Sequence, residues 1–179
     1  PVMAKYLSDH GYIIDIYERR PDMRVVKQSA GRSINLALSA RGIEALKNIG
    51  IFGEIQPSLL PMKGRMIHDM DGKTHLQPYG QKEDEVIYSV SRAFLNKNLM
   101  DLVERTGNVK IHFDHSLENI DINNSELIFK NNKKISFNRV MGSDGSSSCI
   151  RKCINERSSM NFRKKPLGHG YKELSIPAT

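Results

Sequence analysis

Residues 31–42 read GRSINLALSARG. Ile34, Leu36 and Leu38 alternate as in a half-buried strand, Ser39 stands where a helix N-cap belongs, and a helix is expected from Ala40. Gly31 suits backbone that turns sharply or passes close to a ligand, and Arg32, Ser33 and Asn35 are donors for phosphate or amide groups. Taken alone the stretch also fits a plain loop and strand edge, so its neighbours decide its reading.

Upstream, Met3, Tyr6 and Leu7 fall at helical spacing and Gly11 occupies the capping position after them. Residues 12–17 then form an apolar strand that ends on Glu18, before Arg19, Arg20 and Pro21 break the pattern. A helix, a glycine and an apolar strand ending on an acid make the second half of a dinucleotide-binding β-α-β unit. There the carboxylate accepts hydrogen bonds from the adenosine ribose. The G-x-G-x-x-G turn of such a unit would fall before Pro1. Since the sequence also opens without methionine, it is expected to be a piece of a longer protein.

Downstream, a short amphipathic helix over residues 40–49 stops at Gly50, and residues 51–60 read as a connector. In 61–80, PMKGRMIHDMDGKTHLQPYG, two strands flank the hairpin turn Asp71-Gly72. Arg65 at one end and Tyr79 past the other can meet on one side of a sheet. A guanidinium there grips a carboxylate bidentately while a phenol adds a hydrogen bond and a wall, which suits an amino-acid-like ligand. Residues 86–90 are a further strand, and Ser91 caps a helix over 92–106. Arg92 in its first turn opposes the helix dipole unless an anion lies nearby. Residues 109–113, 116–122, 127–129 and 133–137 read as a meander, with His112 and His115 on opposite faces if the strand is regular. A last strand over 139–143 feeds GSDGSSSCIRK, where backbone amides and a carboxylate can hold a phosphate-linked ribose. The tail 171–176 is strand-like.

Composition bounds the class. At 179 residues, 39% hydrophobic and 26% charged, the chain is of one-domain size and can bury a core. No apolar run reaches membrane-spanning length and no secretory leader is visible, so a cytoplasmic site is expected. Its two cysteines, Cys149 and Cys153, suit neither a disulfide scaffold nor a redox C-x-x-C pair. The net charge of +7 is scattered with few interleaved aromatics, which is weak evidence for nucleic acid, is explained as well by solvated faces, and also suits an anionic ligand such as a dinucleotide.

The segments YERRPDMR, GRSINLALSARGIEAL, MKGRMIHDMDGKTHLQPYG, YSVSRAFLNKNLM, GSDGSSSCIRK and HGYKELSIP resemble, in the same order, those of the kynurenine 3-monooxygenase family of flavin-dependent aromatic hydroxylases. The resemblance implies an α/β fold: a partial Rossmann-like FAD-binding domain of the aromatic-hydroxylase type over 1–166, with a β-meander. The hairpin 61–80 would serve the substrate site, and 167–179 would open a substrate-binding sheet. It implies hydroxylation of L-kynurenine with NADPH and O2, with no membrane segment in this stretch and no nucleic-acid partner. Eukaryotic members are mitochondrial outer-membrane proteins, and the Asn-, Lys- and Ile-heavy composition without a targeting leader is what points to a bacterial cytoplasmic enzyme instead. By resemblance, Tyr17, Glu18, Arg19 and Arg20 surround the adenosine end, Ala37 lies near the flavin, Arg92 near the phosphates and Leu117 beside the adenine. Asp144, Gly145 and Arg151 match the motif used for flavin and pyridine nucleotide, and Arg65 with Tyr79 the substrate pair. No catalytic side chain and no metal ligand is implied. Two alternatives stay open: another aromatic hydroxylase of the same class, or a non-catalytic basic binding module.

Overall fold

A computed structural model describes residues 1–26, 35–82, 84–158, 162–163 and 165–170. Gly31, Arg32, Ser33, Ile34 and the tail strand 171–176 lie outside the described residues. The chain divides into two compact units, Pro1–Ser116 and Leu117–Thr179.

The first unit opens with α1 (Val2–Asp9), which ends because Gly11 turns left-handed at φ 82°. The Gly11 amide donates to the Ser8 carbonyl and the Tyr12 amide to that of Leu7, so two orphan carbonyls are answered and the chain is aimed into β1 (Ile14–Tyr17). β1 pairs in parallel with β7 (Val109–His112), placing Ile14 and Ile16 beside Val109 and Ile111. That apolar face packs with Ala4 and the fully buried Val103. The opposite face carries Asp15, Tyr17, Lys110 and His112.

Between these strands run β2 (Asn35–Leu38), α2 (Ala40–Asn48), α3 (Phe52–Ile55), a 3-10 turn, β3 (Leu60–Met62), the hairpin β4 (Gly64–His68) and β5 (Thr74–Pro78), β6 (Ile87–Ser91) and α4 (Arg92–Glu104). The quoted stretch thus supplies β2 and the start of α2. Ser39 stands at the N-cap as expected, although its hydroxyl makes no capping bond. Strand order is β2-β6-β3, antiparallel throughout, with β3 and its Pro61 on the outside. Leu38 and Val90 point from this sheet into a core shared with Leu46, Leu95 and Leu99. The expected connector 51–60 is part of that core. Ile51 and Ile55 are fully buried, each worth about 2 kcal/mol of burial.

In the second unit, β8 (Leu117–Asp121), β9 (Glu126–Phe129) and β10 (Lys134–Ser136) form the meander, in the order β10-β9-β8. The expected meander included residues 109–113, but β7 joins β1 instead, because its apolar residues complete the α1/α4 core. Residues 139–143 do not form the expected strand: a strand needs a neighbour for its amides, and none pairs with it among the described residues. α5 (Cys149–Arg157) follows and rests on β8. The Cys149 thiol donates to the Glu118 carbonyl at 3.1 Å, and burial, then Cys153, pushes its pKa up to about 11. No helix among the described residues is long and apolar enough to cross a membrane.

Candidate functional site

Glu18 follows the last residue of β1, where its backbone is fixed on both sides: its amide donates to the His112 carbonyl and its carbonyl accepts from the His115 amide, each at 2.9 Å. Its Oε1 accepts from the Arg20 amide at 3.0 Å and from Arg20 Nε at 3.2 Å. Oε2 takes part in neither bond, and the side chain is 38% exposed. A carboxylate held this way at the carboxyl end of a parallel strand fits a ribose diol. Arg19 and Arg20 are exposed beside it. Tyr17 instead stacks on His112 at 4.8 Å and 11°. Burial, then the Asp15 charge, raises the pKa of its hydroxyl. His112 and His115 do not fall on opposite faces. β7 ends at His112, Asp114 takes a left-handed φ of 58°, and the two rings come within 5.8 Å.

On the outward face of the three-stranded sheet, Ala37 lies opposite Ser89 and Asn35 opposite Ser91. These small side chains leave a flat surface, flanked by an exposed Leu60 opposite Ser89. β6 runs straight into α4, whose Ser91 cap accepts from the Phe94 amide at 3.4 Å. The first turn holds no acid, and Arg92 is exposed there. Ala37 pairs with Ser89, and Arg92 follows three residues later at the start of α4. A planar ring over Ala37 and an anion at Arg92 fit this surface, since the helix amides and the guanidinium both favour negative charge.

In the hairpin, Arg65 pairs with Gln77 and the Tyr79 amide donates to the Lys63 carbonyl at 2.9 Å. With strand alternation, Lys63, Arg65, Gln77 and Tyr79 share one face, and Arg65 and Tyr79 are diagonal neighbours. Arg65 Nε donates to Gln77 Oε1 at 2.7 Å, which leaves the terminal nitrogens of the fork for a ligand. Lys63 and Gln77 were not singled out from sequence. The two-residue spacings 63/65 and 77/79 would have found them.

In the second unit, Gly145 turns at φ 81° and folds the Asp144 carboxylate back over the start of α5. Oδ1 accepts from the Ser148 hydroxyl at 2.6 Å, and Oδ2 from the amides of Cys149 at 2.6 Å and Ile150 at 3.2 Å. Burial alone would raise the Asp144 pKa, but the bonds from Ser148 and the amides outweigh it and lower it. Ser148 in turn caps the Arg151 amide at 2.9 Å. The Arg151 guanidinium donates to the carbonyls of Gly145 and Ser146 and lies over the Phe162 ring at 4.9 Å. Asp144, Gly145, Arg151 and Phe162 line an open cleft of about 400 Å³. Both charged residues are thus occupied in shaping the turn. Leu117 is the first residue of β8, opposite Phe129.

No family model matches the sequence. A curated kynurenine 3-monooxygenase from Legionella pneumophila (strain Corby) is 40% identical over 175 residues, 96% of this chain and 39% of that protein. One from Myxococcus xanthus (strain DK1622) is 39% identical over 182 residues, 99% of this chain and 39% of its own length. One from Anopheles gambiae is 37% identical, covering 99% and 38%. Among solved structures, PqsL of Pseudomonas aeruginosa, described as a probable FAD-dependent monooxygenase, matches with a TM-score of 0.63 at 15% identity, over 93% of this chain and 44% of that one. The tetrameric form of 2-methyl-3-hydroxypyridine-5-carboxylic acid oxygenase gives 0.67 at 15%, over 86% and 38%. At that identity these structures show the fold, which is the α/β fold of the FAD-dependent monooxygenases. Across almost its whole length the chain is a homologue of proteins named kynurenine 3-monooxygenase, and it spans about two-fifths of their length.

Proposed function

We propose that the protein containing this chain is an FAD-dependent monooxygenase that converts L-kynurenine to 3-hydroxykynurenine with NADPH and O2. The observation that carries the reading is the hairpin face on which Arg65, its Nε held by Gln77, stands diagonal to Tyr79. A guanidinium oriented by a neighbour and set beside a phenol suits the α-amino-acid end of an aromatic substrate. In the whole protein, residues 1–166 would belong to the FAD-binding domain and 167–179 would begin the substrate sheet. A bacterial cytoplasmic location and the absence of a nucleic-acid partner are part of the same reading.

Bound FAD would supply the redox chemistry, accepting reducing equivalents from NADPH and activating O2. This chain's residues bind and orient. Glu18 would accept from the ribose hydroxyls, with Arg19, Arg20 and Leu117 around the adenosine and Tyr17 bracing the strand end through His112. Ala37 would leave room for the flavin ring, and Arg92 with the α4 amides would meet the pyrophosphate. Asp144, Gly145 and Arg151 would shape the turn that approaches the cofactor, and Arg65 with Tyr79 would hold the substrate carboxylate. No side chain is asked to move a proton. Placing the ring and excluding water are the protein's contribution.

The test uses the full-length protein. L-kynurenine should perturb the bound flavin's visible band and accelerate NADPH oxidation with stoichiometric 3-hydroxykynurenine, whereas hydroxybenzoates should do neither. Hydroxybenzoate-driven turnover would reassign it to another aromatic hydroxylase, and purification without flavin would overturn the reading.

A further inference from the structure

The loop that follows Glu18 is tied down through Arg24, six residues further along the chain. After Pro21 the chain turns, with the Val25 and Val26 amides both donating to the Asp22 carbonyl. Arg24 then reaches back from this turn with a side chain only 22% exposed. Its Nε and Nη2 donate to the Asp22 carboxylate, Nη2 at 2.7 Å, while Nη1 donates to Asp101 at 2.8 Å and Glu104 at 2.5 Å. Asp101 and Glu104 lie on the last turn of α4. The guanidinium carbon also sits 5.7 Å from the centroid of Phe113. Phe113 lies between His112 and Asp114. The first of these bonds the Glu18 amide, and the second donates its own amide to the Arg20 carbonyl at 3.2 Å.

One guanidinium therefore joins the loop, α4 and the segment that holds Glu18. We propose that Arg24 is a positioning residue: it clamps the loop 18–26 against α4 and so holds the Glu18 carboxylate where a ribose diol would meet it. The inference rests on the FAD reading above and adds a residue that never touches the cofactor. Three carboxylates converge on this one cation, and without it Asp22 faces Asp101 and Glu104 as like charges. Removal of Arg24 does more than delete an attraction, because it makes the loop and the helix repel. The Asp22 carboxyl is held below its ordinary range, chiefly by the hydrogen bond from Arg24, as a firmly engaged clamp requires. A lysine cannot replace the fork, since its point charge offers no planar set of donors for three carboxylates.

The experiment measures FAD dissociation constants by flavin fluorescence in the full-length protein, with near-ultraviolet circular dichroism to confirm folding. Arg24→Gln should raise the constant about tenfold or more, the worth of a well-placed bond to a charged group. In a Glu18→Gln background the same change should add clearly less than it does alone, because the clamp acts chiefly through Glu18. Arg24→Lys, which keeps the charge but loses the fork, should fall between the parent and Arg24→Gln. If Arg24→Gln does not fold, the pair Asp101→Asn with Glu104→Gln loosens the clamp from the helix side and should weaken FAD in the same direction. A folded variant that binds FAD as the parent does, or losses that multiply in the Glu18→Gln background, overturns the inference alone. Failure of the unaltered protein to take up FAD overturns the flavoprotein reading and this inference with it.

Discussion

Arg65 donates its Nε to Gln77, so its two terminal nitrogens are already aimed before a ligand arrives. Arg65→Lys keeps the charge and loses the fork, and under the proposed function it should raise the full-length protein's KM for L-kynurenine about tenfold to a hundredfold. Tyr79→Phe, which removes one neutral hydrogen bond, should cost only about threefold to tenfold in steady-state kinetics. Asp144 makes a different case. Its carboxylate answers a hydroxyl and two amides at the head of α5, so Asp144→Ala should destabilise the fold by about 1 kcal/mol in urea titrations at neutral pH. Because its folded pKa lies below the ordinary 3.8, that contribution is complete above 3.8 and fades as pH falls through the folded value. The gap between parent and Asp144→Ala should accordingly close in acid. Sequence named Arg65, Tyr79 and Asp144 because each stands at a turn with a readable period or signature. It missed Arg24, whose three partners include two residues on α4, far along the chain.

At the scale of elements, helices and their stops were the most legible. α4 carries Leu95, Leu99, Leu102 and Val103 at core spacing, and Leu99→Ala should cost about 2–5 kcal/mol by chemical denaturation. Gly11 closes α1 in a conformation that a β-carbon disfavours, and Gly11→Ala should cost about 1 kcal/mol in the same assay. Strand partners were harder to read. β7 has the look of a meander strand, yet its alternation with Ile14 and Ile16 across a long crossover sets its true neighbour. The stretch 51–60 reads as a connector because Pro57 and Gly53 mask two isoleucines four residues apart, both of which end in the core. His112 and His115 met because Asp114 bends the backbone after the strand, a left-handed residue that spacing alone does not reveal.

Among the described residues the molecule contains a parallel sheet of two strands, β1 and β7, and a segment at 139–143 that pairs with no strand. A two-stranded sheet is marginal and its edges are open to further pairing. Residues 1–179 expressed alone should therefore bind FAD far more weakly than the full-length protein, by about a hundredfold or more in equilibrium titration, through lost cofactor contacts and a loosened sheet. A stoichiometric yellow complex from that piece would refute this. The three-stranded sheet is guarded differently. Pro61 sits in its outer strand without an amide hydrogen, so an incoming chain would meet a gap in the ladder just where it tried to zip on. Crowding many copies together should leave that rim inert, and any fibre-like stacking onto this sheet has to begin from the flank formed by Asn35–Leu38 instead.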